Sequence, residues 1–321
     1  LKKNIDTSLT IRWTLDTYQF QTLSEAIQYN STLQSLDLSS TSFDKEGATA
    51  LGKGLQRKST LLHLNLRVNR LRDDGAVALA EALRGNNTLQ TINLGVNAIG
   101  GKGANSISEM LHNNTSITHL YLDVNAVGND GATALAETLK RNHTLIHANL
   151  SNNSIGVTGA TALAKVLIHN QTMKVLELEN NMLKNDGVIA LADSLQINTS
   201  LTNINLGVNT IGRRGSFAIA NALKVNVSLI ELNLLWNPIG DDGATALAGA
   251  LKFNPTLSKM LISSEYYERK GAAAFQAILK FKTDSWGYLH IILFKLIGDE
   301  GAKILSREYQ MKFPILTSIT N

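Results

Sequence analysis

Residues 117–144 read ITHLYLDVNAVGNDGATALAETLKRNHT, and this stretch decides the fold. Its opening alternates apolar and polar residues up to Leu122, a period of two that predicts a short, half-buried strand. Its second half places Ala132, Leu135, Ala136 and Leu139 at helical spacing. That spacing predicts a helix with one buried face. The stretch is therefore one strand followed by one helix.

The same unit recurs along the chain every 28 residues, without insertion or deletion. Two apolar columns keep this register, one from Leu33 to Leu257 and one from Leu38 to Ile262. A glycine column keeps it too, through Gly47, Gly75, Gly103, Gly131, Gly159, Gly187, Gly215, Gly243 and Gly271. A fixed period of this length is the sequence signature of a solenoid, in which each unit buries its apolar face against the next.

An asparagine column follows the strands and repeats with the same period. Its members are Asn69, Asn97, Asn125, Asn153, Asn181, Asn209 and Asn237. Each amide carries donors and an acceptor, so we expect these side chains to satisfy backbone groups where the chain leaves the strand. We therefore interpret this asparagine ladder as structural.

A second asparagine column ends the helices and lies in N-x-S/T sequences. Its members are Asn30, Asn86, Asn114, Asn142, Asn170, Asn198, Asn226 and Asn254. Such sequences are glycosylation acceptors in secreted proteins. Because they fall on the repeat period and the chain has no cysteine, we favour a helix-end turn instead. Asparagine tolerates the left-handed backbone conformation that often ends helices, and we expect that conformation here.

The pattern L-x-x-L-x-L-x-x-N, present from Leu61 to Asn69, resembles the leucine-rich-repeat signature. The segment IGDDGATALAGALKFNPTL, from Ile239 to Leu257, is similar to the ribonuclease-inhibitor-like subfamily. NOD-like receptor repeat regions, the Ran GTPase-activating protein and leucine-rich-repeat effectors of intracellular bacteria share this repeat class. The resemblance implies an α/β leucine-rich-repeat solenoid, a horseshoe with a parallel sheet on its concave face and helices on its convex face.

We expect a single domain with degenerate repeats at both ends. Residues 1–32 form the N-terminal cap repeat, 33–284 hold nine regular repeats, and 285–321 hold the last repeat and its cap. The first strand is expected at Leu9–Ile11, shifted by one residue, and the first helix at Leu23–Tyr29. After Lys280 the register gains two residues. Aromatic residues are expected to cover the open ends of the core: Trp13, Tyr18 and Phe20 at one end, and Trp286, Tyr288 and Phe294 at the other.

Outward positions of the strands are chemically varied, whereas the buried columns are monotonous. The central strands carry the most distinctive set, which we name the central patch: His119, Tyr121, Asp123, His147, Glu177, Glu179 and Glu231. His63 and Arg67 flank it on one side, and Leu235 and Trp236 on the other. Aromatic residues and arginine are typical interface anchors. We predict that these residues bind a protein partner; the alternative is a solvated polar sheet face without one.

Composition and motifs exclude several other classes of function. The chain has 321 residues and a net charge of +4, which does not indicate a nucleic-acid-binding protein, and no apolar run is long enough for membrane insertion. His119, His147 and Glu177 suggest zinc ligands, but no short ligand motif accompanies them, so we expect no metal and no cofactor. No catalytic motif is present, and we expect no enzyme.

Two basic pairs, Arg213–Arg214 and Arg269–Lys270, stand where most repeats have acidic residues at a helix start. Positive charge there opposes the helix dipole. One interpretation is a contact with an anion or an acidic partner. The other, which we favour, is tolerated variation at the surface.

The predicted function is that of a protein–protein interaction module acting as a monomer. It is either a regulatory repeat region of a larger protein or a bacterial effector that acts on a host protein. The alternatives are a GTPase-activating protein, by analogy with the Ran regulator, and a structural or self-associating solenoid. Without cysteines, the chain is expected in the cytoplasm or another reducing compartment, and an effector would be translocated into the host cytosol. Because the sequence starts at Leu1, we expect it to be an excerpt or a processed product.

Overall fold

The computed structural model describes residues 7–56, 60–263, 273–274 and 290–294. Strands and helices alternate along these residues, which confirms the predicted α/β repeat. In chain order the elements are β1 (Ser8–Thr10), α1 (Thr17–Tyr29), β2 (Ser35–Asp37), α2 (Lys45–Gln56), β3 (His63–Asn65), α3 (Arg72–Leu83), β4 (Thr91–Asn93), α4 (Gly101–Asn113), β5 (His119–Tyr121), α5 (Gly128–Leu139), β6 (His147–Asn149), α6 (Val157–Leu167), β7 (Val175–Glu177), α7 (Lys184–Leu195), β8 (Asn203–Asn205), α8 (Arg213–Val225), β9 (Glu231–Asn233), α9 (Gly240–Leu251), β10 (Lys259–Ser263) and β11 (His290–Phe294).

The described strands form one parallel sheet, ordered as in the sequence from β1 to β11. From β2 to β10 every pair keeps the 28-residue step, as in Leu64 opposite Ile92. At the first pair Leu9 lies opposite Leu36, so the one-residue shift predicted for the first strand is confirmed. The last pair puts Met260 opposite Ile291, a gain of three residues and not the predicted two. Strand register is set by backbone pairing, so it can differ from an offset counted along the sequence.

The core lies between the sheet and the row of helices. Inward strand residues such as Leu64 and Leu66, and helix residues such as Ala76 and Leu79, are at most 1% exposed. Burying a leucine side chain contributes about 1.5–3 kcal/mol, so the repeated columns account for most of the stability. The opposite side of the sheet remains available to solvent, and we call it the concave face.

The N-terminal end of the core is closed by one aromatic residue of the three predicted there. Phe20 is 2% exposed, and its ring packs edge-on against Phe43 with centroids 5.1 Å apart. Trp13 and Tyr18 are 62% and 75% exposed, so the prediction that they cover the core was wrong. The reason is that α1 begins at Thr17, six residues before the predicted start, behind a capping box formed by Asp16. The longer helix covers the core with its own face.

At the C-terminal end, several predictions fall outside the described residues. Trp286, Tyr288 and the pair Arg269–Lys270 are among them, as is the boundary at residue 284. The strand predicted near Leu289–Ile292 is observed as β11, which ends at Phe294. The division of the chain into caps and regular repeats therefore stays a prediction.

The asparagine ladder links neighbouring repeats through hydrogen bonds to the backbone. The Asn237 amide donates to the carbonyls of Leu206 and Leu234, and its Oδ1 accepts from the amides of Asn209 and Ile211. Each carboxamide thus satisfies groups of its own repeat and of the repeat before it. Since an unsatisfied buried backbone group costs about 1–3 kcal/mol, the column is required by the turn and is not available for binding.

The helix-end asparagines adopt extended backbone conformations at the positions where helix caps are defined. At Asn30, Asn114 and Asn226, φ lies between −81° and −70°, so the predicted left-handed conformation was wrong. Their side chains cap the following turn instead: Asn226 Oδ1 accepts from the amides of Ser228 and Leu229. Its Nδ2 donates to Leu195 O in the preceding repeat, 2.7 Å away. Asn226 is 3% exposed, so the folded chain offers no room for a glycan there.

The helix starts alternate between two types, with a period of 56 residues. In one type the first helical residue has a positive φ, at Arg72, Gly128, Lys184 and Gly240. In the other type the left-handed residue stands three positions earlier, at Ser42, Ala98, Ser154 and Thr210. Side chains from helix starts of the first type cap the helices of the second type, and they belong to Asp73, Asn129 and Asn185. For example, Asn185 Oδ1 accepts hydrogen bonds from the amides of Gly212 and Gly215.

The pair Arg213–Arg214 belongs to this alternation. Arg213 lies 3.3 Å from the Asp242 carboxylate and Arg214 lies 3.4 Å from that of Asp186, in the repeats on either side. Acidic helix starts therefore flank a basic one. These exposed pairs contribute little energy, but they explain the arginines without an external anion, in agreement with the interpretation we favoured.

Candidate partner-binding surface

The centre of the concave face is a contiguous group of His119, Tyr121, His147 and Glu177. His147 Nε2 lies 2.8 Å from Glu177 Oε1. The His147 ring packs edge-on against Tyr121, with centroids 4.9 Å apart, and lies 5.6 Å from the His119 ring. These four side chains come from three adjacent strands, β5, β6 and β7. The structure therefore brings together the middle of the predicted central patch.

Asp123 interacts with the flanking residue Arg67 across an intervening strand. Arg67 Nη1 lies 2.5 Å from Asp123 Oδ2, although β4 runs between them. Gly95 occupies the outward position on that strand, and a Cβ atom there would collide with both side chains. The glycine thus permits an ion pair that closes over the sheet. His63, at the start of β3, is exposed.

The acidic residues of the patch have different partners. Glu231 Oε1 lies 2.6 Å from the ammonium group of Lys259 and its Oε2 accepts from Asn203. Glu177 is paired with His147 as described. Glu179 Oε2 accepts a hydrogen bond from the neutral amide of Asn205, 3.0 Å away. These partners, Lys259, Asn203 and Asn205, stood in the outward columns of the sequence but were not singled out, because side chains 26 or 28 residues apart show no pairing signal.

Leu235 and Trp236 form an apolar end of the surface together with Leu261. Trp236 is 45% exposed and has a φ of 58°. Its backbone amide donates to Ser263 Oγ, 2.7 Å away, which holds the turn in place. Leu235 and Leu261 are partly buried beside it. The site residues named from the sequence therefore extend from β3 to the turn after β9.

A row of valines along the edge of this surface was not predicted. Val68, Val96, Val124 and Val208 occupy the same position as Trp236, and all have φ between 54° and 57°. A β-branched residue rarely adopts this conformation, which costs about 1–3 kcal/mol. Asn152 and Asn180 occupy the position at a lower cost. The sequence signal was a valine just before four of the signature asparagines.

The pKa of His119, in the central patch, differs from that of a solvated histidine. Burial lowers the pKa of His119 below its usual value, and the nearby His147 and His63 lower it further. Burial also raises the pKa of Tyr121, with a contribution from Glu177. The neutral forms of His119 and Tyr121 are therefore favoured at neutral pH.

The lowered pKa of His119 predicts a change in stability with pH. Between its unfolded pKa of about 6.5 and its lower folded value, the unfolded chain binds the proton first. Stability contributed by neutral His119 is present above about pH 6.5 and is lost as the pH falls through the folded pKa. We expect the variant His119→Gln to lose less stability than the wild type between pH 7 and pH 5. Denaturant unfolding at several pH values measures this, and parallel curves for the two proteins would contradict it.

Metal-binding and membrane-spanning features were also sought in the described residues. Among them, no group of three or more histidine and acidic side chains is arranged to hold a metal ion. None of the helices in the same part of the chain combines the length and apolarity needed to cross a bilayer.

The repeat sequence matches a known family over seven stretches. The family is described as leucine-rich repeat, and it matches residues 29–52, 57–80, 85–108, 113–136, 141–164, 169–192 and 225–248. Seven stretches of 24 residues cover 168 of the 321 residues, more than half. The chain therefore belongs to the leucine-rich-repeat family, as predicted. This match does not indicate a catalytic family.

Solved structures resemble the chain in fold. One is actin-binding site 2 of leiomodin-1, which is 23% identical, with a TM-score of 0.41 over 57% of this chain and 97% of that one. Another is the C-terminal domain of tropomodulin from Caenorhabditis elegans, which is 14% identical, with a TM-score of 0.42 over 48% of this chain and 93% of that one. No curated protein sequence matches the chain. At these identities and TM-scores, neither structure bears on the function of this chain.

Proposed function

We propose that this chain is a protein-binding module that holds its partner on the concave face and has no catalytic activity. The observation that carries the proposal is the contiguous group of His119, Tyr121, His147 and Glu177, whose mutual contacts pre-organise varied chemistry on a rigid sheet. Side chains already held in place lose less conformational freedom on binding. Most recurring residues are explained by stacking, so the outward residues that do not recur are the ones free to determine a partner.

The variant Glu177→Lys/Glu179→Lys tests the concave face. Its matched control, Glu81→Lys/Asp193→Lys, makes the same change of charge on exposed helix positions. The three proteins are immobilised at equal density, and proteins captured from a eukaryotic cell lysate are quantified by mass spectrometry. We expect at least one protein retained by the wild type and the control and reduced about tenfold or more by the concave variant. Equal capture by the concave variant, or loss only with the helix control, would place binding elsewhere.

For the setting, we propose a monomer in a reducing compartment, which is the host cytosol if the chain is a bacterial effector. Support comes from the absence of cysteine and from the buried helix-end asparagines, which would not accommodate glycans. Sedimentation over a wide concentration range tests the monomer. Oligomers that grow with concentration would favour a self-associating solenoid.

A further inference from the structure

The outward position two residues beyond each strand forms a row that crosses β6 to β9. Its members are Ser151, Glu179, Gly207 and Leu235. Ser151 is 7% exposed, and its Oγ is closed to solvent. A partner's side chain therefore does not reach that oxygen, and Glu179 is the charged side chain of the row that a partner can contact.

Glu179 stands next to Ser151 in this row, and among the described residues no cationic side chain forms an ion pair with it. The other two glutamates of the patch differ, because Glu231 pairs with Lys259 and Glu177 pairs with His147. The bond from the neutral Asn205 amide to Glu179 leaves the full negative charge in place. A positively charged donor at this point would bind the Glu179 carboxylate.

An apolar surface lies two strands away in the same direction. Leu235 ends the row, the next residue, Trp236, is 45% exposed, and Leu261 lies on the neighbouring strand opposite Asn233. Between Glu179 and Leu235 the row holds Gly207, and the neutral amide side chains of Asn205 and Asn233 lie within 3.5 Å of where its Cβ atom would stand. Neighbouring strands are about 4.8 Å apart, which puts the two ends about 10 Å from each other.

The surface at Gly207 differs from the equivalent surface at Gly95. At Gly95 the protein's own Arg67 and Asp123 meet across the glycine and neutralise each other. The residues on either side of Gly207 are a carboxylate and a leucine, which cannot pair. A partner would therefore supply a positive charge at Glu179 and an apolar group at Leu235.

We propose that the partner inserts an extended segment that crosses β7 to β9, with a basic side chain on Glu179 and a bulky apolar side chain on Leu235 and Trp236. The inference rests on the proposed function, because it specifies which partner the concave face takes. In the extended polyproline II conformation a chain advances about 3.1 Å per residue with three residues per turn, so side chains three residues apart lie on one face and about 9 Å from each other. Arginine fits the basic position best, because a guanidinium can donate to both oxygens of the carboxylate.

Selection from a phage library of random 12-residue peptides on the wild-type chain tests this segment. Enriched peptides are expected to share arginine or lysine three residues from a large apolar residue. Their affinity is expected to fall about tenfold in Glu179→Gln and in Trp236→Ala. Glu81→Gln, an exposed carboxylate on α3, serves as the matched control and should leave affinity unchanged.

The possible failures of the two proposals are distinguishable. Peptides that lose affinity in Glu177→Lys/Glu179→Lys but contain no basic residue would overturn the segment and leave the concave face as the binding surface. A spacing of seven residues would indicate a helix and overturn the extended geometry. Peptides that bind this charge-reversed variant as well as the wild type would count against both proposals. A selection that enriches nothing would overturn the segment, while lysate capture decides the proposed function.

Discussion

Replacing Asn237 by leucine is expected to lower the free energy of unfolding by about 3–5 kcal/mol. Asn237 is 0% exposed, and its Oδ1 is the acceptor for the amides of Asn209 and Ile211 at 2.9 Å and 3.0 Å. Leucine has a similar size but no acceptor, so both amides would be left buried without a partner. The denaturant midpoint and slope of the purified variant measure the loss.

Asn209→Leu is the matched control for this prediction, because Asn209 lies one repeat earlier and is equally buried. Its Oδ1 accepts only a long bond, 3.4 Å from the amide of Leu183. We expect a loss smaller by about 1–3 kcal/mol. Equal losses in the two variants would show that removing the amide donors, which both residues supply, determines the cost.

Replacing Gly131 by alanine is expected to destabilise the protein by about 1–3 kcal/mol, although alanine favours helices. An added Cβ would lie 2.6 Å from Val127 Cγ1 and 2.7 Å from Ala104 Cβ on the neighbouring helix. Real carbon atoms do not approach this closely, so α4 and α5 would have to move apart. Thermal unfolding measures the loss.

Gly249→Ala provides the opposite expectation in the same type of helix. A Cβ at Gly249, inside α9, would meet no atom within 4 Å. Alanine should therefore stabilise the protein by about 0.5–1 kcal/mol through its helix propensity. Two stabilised variants would show that the glycine column reflects the sequence history and not close packing.

The fold was predictable because it depends on residues that recur. A column that stays apolar or glycine over nine repeats identifies the buried side of each unit, and parallel pairing at the same step follows from it. Local geometry was less predictable. The extended backbone of Asn226 depends on a carbonyl of the preceding repeat, and nothing within one repeat indicates it.

The candidate site was predictable in its position but not in its pairings. Outward residues could be assigned from the strand period, but the bridge between Arg67 and Asp123 requires a glycine on the strand between them. The exposure of Trp13 likewise depends on where α1 begins. Contacts that join different repeats are fixed by the arrangement of the units, which a column of single residues does not describe.

The 56-residue alternation of helix starts has a consequence for how such a chain can change its length. If residues 101–156, a stretch of 56 residues, were excised, α3 would be followed directly by α6. Because α6 starts in the same way as α4, the alternation of the two types of helix start would be kept. Excising 28 residues would place two starts of the same type side by side, with their caps and charges mismatched. The structural unit that can be added or removed without a mismatch is therefore a pair of repeats. Duplication or loss of whole pairs is the route by which its lineage can lengthen or shorten the solenoid without rebuilding a junction.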